Sequence, residues 1–288
     1  MKAWADVFTH VDERCCKPRA AGVTMVIDKC QGPNATADLL AMAGDYVDHW
    51  KLSFGTSALM DEDLLRDKIA TVRERDILVY PGGTLGEYAV VRGVYYDYMR
   101  RAKTLGFNGI EISDGTIYLS PDVRRDAIHF ALDLGLLVVS EVGKKDPRHQ
   151  PAAEELAEQA LADFEAGAAW VIVEARESGK GVGVYGADGS VHEQDVDTIV
   201  AALNTRERLD HLIWEAPLKN QQEYFILRFG PDVSLGNIQP RDVLGVEALR
   251  AGLRFETLRP LVEKMEREET LPLADRISRI AYRKLPEA

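Results

Sequence analysis

The 288-residue sequence contains little cysteine: there are three residues, of which the adjacent Cys15 and Cys16 are poorly placed to bond each other. A disulfide scaffold is therefore excluded. There is no C-x-x-C pair and no H-E-x-x-H segment, so familiar zinc sites are not expected. No apolar run has the length of a membrane span, and the first residues lack the apolar core of a signal peptide. We therefore expect a cytoplasmic protein with reduced thiols and no membrane partner.

Positive charge is also scarce, with 35 Lys and Arg residues against 47 Asp and Glu residues and a formal net charge of -12. Nucleic acids and anionic membranes need clustered positive charge, so neither is an expected partner. Any anionic ligand must be held by a local basic site. No Ser-His-Asp or Cys-His arrangement stands out, which argues against covalent acyl transfer.

The strongest pattern is a short apolar or β-branched run, then polar residues, then an amphipathic stretch, repeated eight times. Short, nearly all-apolar runs are typical of buried parallel strands. The predicted strands are Val23–Asp28, Val47–Ser53, Ile77–Tyr80, Gly109–Ser113, Leu136–Glu141, Trp170–Glu174, His211–Glu215 and Val233–Gly236. The predicted helices include Asp61–Arg75, Tyr95–Leu105, Pro121–Leu134, Ala152–Ala166, Glu193–Leu203, Gln221–Phe229 and Pro240–Leu253.

This alternation predicts an α/β protein: one (β/α)8 TIM-barrel domain over residues 20–256, with a C-terminal helical extension over residues 257–288. An open, doubly wound sheet alternates strands and helices in the same way and is the main competitor. The count of eight favours the closed barrel. No G-x-G-x-x-G follows the first strand, so the dinucleotide fingerprint of the open fold is missing.

Charged residues stand at most of the predicted strand ends. The clusters are Asp28 with Lys29, Lys51, Glu111 with Asp114, Glu141 with Lys144 and Lys145, Glu174 with Arg176 and Glu177, and Glu215 with Lys219. One such residue is more often a solvated strand end than a functional group. In a closed barrel, however, all of these ends share the face on which barrel enzymes place their catalytic groups. Their convergence at one mouth predicts an active site.

The acidic members of this set suggest a hard cation. Glu141, Glu174 and Glu215 are candidate ligands of Mg2+, which takes oxygen ligands and bridges to oxygens of the substrate. The alternative is that they neutralise neighbouring lysines, and the sequence leaves both open.

The basic members suit a small substrate that carries both phosphate and carboxylate. Lys29, Lys51, Lys145 and Arg176 are the candidate catalytic cations, with Lys145 as the proton donor. Lys144 is a candidate substrate-binding residue, although a solvated loop lysine is the alternative.

Phosphate in barrels often lies near the last two strands. Gly236, Asn237 and Arg254 are the candidates there, with Pro240 opening the following helix. Two Gly-rich segments, 81–84 and 177–181, are predicted as mobile loops that can act as lids.

Several motifs match a known family when they are taken together. They are Asp28-Lys29, Lys51 with 54–57, 79–85, 111–115, 140–145, 176–179, 215–217, 221–222 and 252–254. From about Gly22 to Thr257 the sequence resembles the phosphosulfolactate synthases of coenzyme M biosynthesis. The resemblance implies a Mg2+-dependent barrel that adds sulfite to phosphoenolpyruvate, with Lys145 protonating the adjacent carbon to give 2-phospho-3-sulfolactate. Asp28 and Ser113, which lie in these motifs, are assigned to substrate binding.

Two alternatives stay open. Substitutions within the motifs, at Cys30, Ser53 and Phe54, permit a related enolate-forming enzyme with another nucleophile or another phosphorylated acid. Plant heat-stress-associated proteins resemble the same family, so a non-catalytic barrel protein is the second alternative. A homo-oligomer is expected, because barrels often assemble through their outer helices.

Overall fold

The computed structural model describes residues 3–4, 6–8, 14–15 and 17–267, and its centre is a barrel of eight strands. The strands are β1 (Thr24–Asp28), β2 (His49–Leu52), β3 (Leu78–Pro81), β4 (Gly109–Ser113), β5 (Leu137–Val142), β6 (Trp170–Val173), β7 (Leu212–Glu215) and β8 (Ser234–Ile238). All eight predicted strands are present, with bounds that differ by at most two residues from those predicted. They are ordered β3-β2-β1-β8-β7-β6-β5-β4, and every hydrogen-bonded pair is parallel. The predicted (β/α)8 barrel is confirmed.

The strands β3 and β4 close the barrel as neighbours, but they share no backbone hydrogen-bond ladder. Among the described strands they are the one neighbouring pair of this kind. Side chains bridge them instead. Asn108 Oδ1 accepts a hydrogen bond from Val79 N at 2.7 Å, and its amide nitrogen donates to Ile77 O at 3.2 Å. Further up, Glu111 Oε1 accepts from Gly83 N at 2.7 Å. One of the charged strand-end residues therefore also joins the two edges of the sheet.

Successive side chains along each strand point alternately into the lumen and toward the helices. The lower lumen is filled by an apolar cluster of Val23, Met25, Leu78, Tyr80, Val139, Trp170, Ile172 and Ile213. A second, larger cluster lies between the strands and the helices and includes Val26, Trp50, Val171 and Trp214. On most strands, the next inward-facing residue above this apolar layer is charged. The alternation of inward and outward side chains therefore brings the charged residues together at one end of the lumen.

The helices cover the outside of the barrel. They are α1 (Pro33–Ala43), α2 (Glu62–Arg73), α3 (Gly83–Val91), α4 (Tyr95–Leu105), α5 (Pro121–Asp133), α6 (Ala153–Glu165), α7 (Glu193–Leu203), α8 (Arg206–Asp210), α9 (Lys219–Phe229), α10 (Val243–Arg250) and α11 (Phe255–Arg267). The predicted helices are confirmed, except that Pro240–Leu253 divides into a 3-10 turn, Pro240–Asp242, and α10.

The predicted mobile loop over residues 81–84 is wrong. Pro81 is the last residue of β3, and Gly83 already begins α3. A Cβ on Gly83 would lie 2.4 Å from Ser113 Cβ, so glycine is required for α3 to start this close to β4. The second predicted lid, residues 177–181, is anchored over part of its length. Gln221 Nε2 donates to Gly179 O at 2.7 Å, and Gly181 N donates to Gly186 O at 2.9 Å.

The C-terminal extension begins as helix α11, and residues 268–288 lie outside the described residues. In the described part of the chain, no helix has the length and apolarity needed to span a bilayer.

Candidate active site

The charged strand ends meet in a small cavity of about 50 Å³ at the C-terminal mouth of the barrel. Its charged lining residues are Lys51, Glu111, Glu141, Lys145, Glu174, Arg176, Glu177 and Glu215. A larger cavity of about 380 Å³ lies outside the barrel, where α2 and α4 pack together. Its lining is mainly apolar, with Leu65, Leu85 and Phe107, and it holds none of the charged strand ends. We therefore place the site in the smaller cavity.

Lys51 lies at the centre of the mouth. Its ammonium group is 3.0 Å from Glu111 Oε2, 3.0 Å from Glu141 Oε2 and 3.1 Å from Glu215 Oε1. Burial alone lowers the pKa of Lys51, but these three carboxylates outweigh it and hold the pKa well above its usual value. Lys51 is therefore a fixed positive charge.

Lys145 lies beside it and shares a carboxylate with it. Lys145 Nζ is 3.1 Å from Glu141 Oε1, 3.2 Å from Glu87 Oε1 and 3.4 Å from Glu174 Oε2. Its side chain runs across Gly115, where a Cβ would meet it at 3.0 to 3.2 Å. A quarter of the Lys145 side chain is exposed, against 8% for Lys51. Lys145 is thus the more accessible of the two ammonium groups.

Burial sets the protonation of the glutamates. It raises the pKa of Glu111 to about 8, and with Glu141 and Glu215 nearby it raises the pKa of Glu174 well above its usual range. Burial also raises the pKa of Glu215. For Glu141 the nearby Lys145 and Lys51 outweigh burial and lower the pKa well below its usual range. Glu174 therefore holds the proton of the Glu141–Glu174 pair.

The donors at this mouth fit a divalent cation. Single ligand oxygens of Glu141, Glu174 and Glu215 lie within 4.8 Å of one another, and all three residues are buried. Two described ammonium groups, those of Lys51 and Lys145, contact five carboxyl groups, the four at strand ends and Glu87, so oxygen donors outnumber the cations. Asn237 Oδ1 is buried beside them without a hydrogen-bond partner in the described structure. Clustered oxygen donors of this kind are what Mg2+ takes.

The rim of the cavity is made by three residues with left-handed backbone. Phe54, Arg176 and Asn237 have φ of 57°, 58° and 54°. Phe54 and Arg176 lie just after β2 and β6, and Asn237 lies near the end of β8. Such conformations are unfavourable for residues with a Cβ and concentrate at functional sites. Above the rim, Lys29 Nζ is 2.5 Å from Glu177 Oε1 and 5.8 Å from the centre of the Phe54 ring. These contacts join the loops after β1, β2 and β6.

Comparison with known proteins identifies the family of this chain. The family model for (2R)-phospho-3-sulfolactate synthase matches residues 12–256. The chain belongs to the phosphosulfolactate synthase family. It is 42% identical over 247 residues to the phosphosulfolactate synthase of Methanothermobacter thermautotrophicus, covering 85% of this chain and 94% of that protein. It is 39% identical over 256 residues to the phosphosulfolactate synthase of Bacillus subtilis, covering 88% and 98%.

A more distant relative of this phosphosulfolactate synthase family member is Protein HEAT-STRESS-ASSOCIATED 32 of Arabidopsis thaliana. The two are 24% identical over 274 residues, which covers 84% of this chain and 90% of the plant protein. The likeness therefore extends over the barrel and not over one motif.

The structure brings most of the predicted site residues together. Those in the cavity lining are Lys51, Glu141, Lys145, Glu174, Arg176, Glu215 and Asn237. Ser113 is directly behind them, with its Oγ 2.7 Å from Glu87 Oε1 and 2.9 Å from Glu141 Oε1. Lys29 forms a salt bridge with one lining residue, Glu177. The structure therefore brings these residues together at one mouth, and their roles in the phosphosulfolactate synthase reaction stay predictions.

Other predicted residues lie elsewhere. Asp28 faces the helices, where it pairs with Lys68 and accepts a hydrogen bond from Trp50 Nε1, because it is the neighbour of the inward-facing Ile27. Lys144 Nζ lies 2.6 to 3.1 Å from three acceptors, Asp114 Oδ2 and the carbonyls of Asp114 and Ile117.

At the last strand the structure gives Gly236 a packing role, since a Cβ there would lie 2.5 Å from Met25 Cε. Arg254 is half-buried, lies near Glu256 and is outside the cavity lining.

Two glutamates at the site have contacts that the sequence analysis did not assign. Glu111 was recognised as a charged strand end but not as a partner of Lys51. Glu87 was missed, because it lies on a helix and not at a strand end. One sequence signal was available, since Glu87 is the single charged residue among the nine residues Gly83–Val91. In the structure it is 3% exposed. A buried, isolated carboxylate needs a partner from elsewhere in the chain.

Proposed function

We propose that this protein adds sulfite to phosphoenolpyruvate and forms 2-phospho-3-sulfolactate with the help of Mg2+. The observation that carries the proposal is the meeting of Lys51 and Lys145 on the single carboxylate of Glu141, in a barrel mouth of this family. It gives two cations and a set of oxygen donors for a small anionic substrate within one cavity.

The chemistry requires positive charge, because sulfite and phosphoenolpyruvate are both anions and repel each other. Lys51 and Arg176 face the cavity and supply it, while Lys29 lies at the rim. Glu141, Glu174 and Glu215 would hold Mg2+, which supplies positive charge to the substrate carboxylate as negative charge grows there. Asn237 Oδ1 offers one more oxygen.

In the reaction, the sulfur lone pair of sulfite forms a bond to the methylene carbon, and the carbon–carbon double bond becomes single. Lys145 then donates a proton to the adjacent carbon, so that an N–H bond breaks and a C–H bond forms. The phosphate ester stays intact. The resulting amine regains its proton from solvent, and no oxidant or reductant is needed.

The test is to incubate the protein with phosphoenolpyruvate, sulfite and Mg2+ and to follow both the organic phosphate and inorganic phosphate by 31P NMR. We expect sulfite-dependent loss of phosphoenolpyruvate without release of inorganic phosphate. Lys145→Ala should lower turnover by about 10²- to 10⁴-fold, which is the range for loss of a general acid. Lys264→Ala, on the exposed surface of α11, is the matched control and should leave turnover unchanged.

The same experiment separates the alternatives. Loss of phosphoenolpyruvate with another nucleophile, identified by the product mass, would favour a related enolate-forming enzyme. No loss and no Mg2+-dependent binding of phosphoenolpyruvate would favour the non-catalytic barrel. A homo-oligomer and a cytoplasmic location stay predictions.

A further inference from the structure

Glu87 lies where a helix meets the mouth of the barrel. Helix α3 packs on β4, and this close approach depends on Gly83. A Cβ at Gly83 would lie 2.6 Å from Glu111 Oε1. Glu87 lies four residues further along the helix and is buried. The helix therefore delivers a carboxylate to the cavity side of the sheet.

Three donors fix the carboxylate of Glu87. Its Oε1 is 2.7 Å from Ser113 Oγ and 3.2 Å from Lys145 Nζ, and its Oε2 accepts a hydrogen bond from Thr116 N at 3.1 Å. These donors come from the end of β4, the loop after β4 and the loop after β5. The carboxylate therefore has one orientation, which is directed at Lys145.

Lys145 needs such a partner because its four-carbon side chain is flexible. Two of its three carboxylate partners, Glu141 and Glu174, belong to the set that would hold Mg2+. A divalent cation held by Glu141 and Glu174 would compete with Lys145 for their oxygens. Glu87 is outside that set and stays available as the partner of Lys145.

We infer that Glu87 is a positioning residue, which holds the Lys145 ammonium group on one side of the substrate so that the proton reaches one face of the carbon. The inference rests on the proposed function, in which that carbon becomes a stereocentre when it is protonated. Glu87 itself contacts Lys145 and Ser113 and is not part of the cavity lining.

The test is Glu87→Gln, which keeps the shape and removes the charge. We expect kcat to fall about 10- to 100-fold while the KM for phosphoenolpyruvate changes less than about threefold, because alignment and not substrate binding is lost. Chiral separation of the product should show a mixture of configurations, since protonation by water is not restricted to one face. A purely structural role would lower Tm and leave the configuration unchanged.

The matched control is Glu247→Gln. Glu247 is also a buried helical glutamate, and it pairs with Arg14 away from the cavity. We expect it to lose stability but to form a single product configuration at the normal kcat. If Glu87→Gln does not fold, Glu87→Asp tests the same point, because it keeps the charge and withdraws it from Lys145. A single configuration with normal kcat in the folded Glu87 variant overturns the inference.

Failure of the proposed function is recognised separately, because the unmodified protein then forms no sulfonated product. Crystal structures of the unmodified protein and of Glu87→Gln, both grown with Mg2+, decide the placement of Lys145 in that case. Displacement of Lys145 Nζ from its position 3.1 Å from Glu141 Oε1 in the variant supports the positioning role, and an unchanged Lys145 overturns it.

Discussion

The lower and upper halves of the barrel lumen are built by the same strands, two residues apart. On β2, β5 and β7 the lower residue is neutral and the upper one is charged, as in His49 and Lys51, Val139 and Glu141, and Ile213 and Glu215. The backbone differs little between the two halves, so the difference in chemistry comes from side chains alone. An apolar floor below the charges removes water from one side, which strengthens their interactions.

The clearest contrast is between His49 and Lys51 on β2, since both are buried. Burial is the main cause that lowers the pKa of His49 to about 4, and the residue is therefore neutral. Burial acts on Lys51 in the same direction, but Glu111, Glu141 and Glu215 raise its pKa well above the usual value. In this lumen a buried side chain stays charged where oppositely charged groups lie in contact with it. The upper half is one electrostatic unit, and the lower half is a packed core.

The largest effect is expected from Lys51→Met, which places an apolar side chain, as in the lower half, among the carboxylates of the upper half. Three buried carboxylates lose their common partner, and we expect a loss of about 3–5 kcal/mol in the free energy of unfolding. Turnover should fall about 10²- to 10³-fold, because a preorganised cation at the reacting anions is lost. Urea denaturation and sulfite-dependent loss of phosphoenolpyruvate measure the two effects.

Lys68→Met is the control for this prediction. Lys68 is as buried as Lys51 but pairs with Asp28 between the strands and the helices. Its loss should lower stability and leave the turnover of the folded protein unchanged. Equal turnover of Lys51→Met and the unmodified protein would contradict the view of the upper half as a functional unit.

A smaller effect is expected from Glu111→Gln on the pH dependence of stability, measured with a chelator present. The folded-state pKa of about 8 lies above the ordinary glutamate pKa of 4.5, so Glu111 keeps a proton that the unfolded chain releases. Its stabilising contribution is complete below pH 4.5 and is lost as pH rises through 8, at up to about 1.4 kcal/mol per pH unit. Glutamine does not titrate, so the variant should lack this decline. Parallel pH profiles of the two proteins would show that Glu111 is ionised throughout.

The contrast between the two halves also explains what the sequence could predict. Buried parallel strands are short apolar runs, so all eight were found, and the charged residues that follow them converge because the barrel closes. Asp28 was assigned to the site, but side chains alternate in direction along β1. Its neighbour Ile27 faces the lumen, so Asp28 faces the helices. Glu87 could not be placed, because the packing of α3 on β4 depends on the close approach of Gly83 to Ser113 and Glu111, which is a tertiary contact.

The smallest effect is expected from His49→Phe in the lower half. The His49 ring packs edge-on against Tyr80 and Trp170, with centroids 5.9 and 5.1 Å apart, and its Nδ1 is buried without a hydrogen-bond partner in the described structure. A phenyl ring keeps the packing and removes the unsatisfied nitrogen, so at pH 7 we expect stability within about 1 kcal/mol of the unmodified protein and unchanged turnover.

The two proteins should diverge only in acid. Because the folded-state pKa of His49 is about 4 and the ordinary histidine pKa is 6.5, the unfolded chain takes up a proton first, and the unmodified protein loses stability as pH falls from 6.5 toward 4. The phenylalanine variant has no such loss, and urea denaturation at pH 7 and pH 5 measures the difference. A fall in turnover at pH 7 would instead mean that the packing of the apolar lower half affects the positions of the charged groups above it. The two halves would then act as one unit.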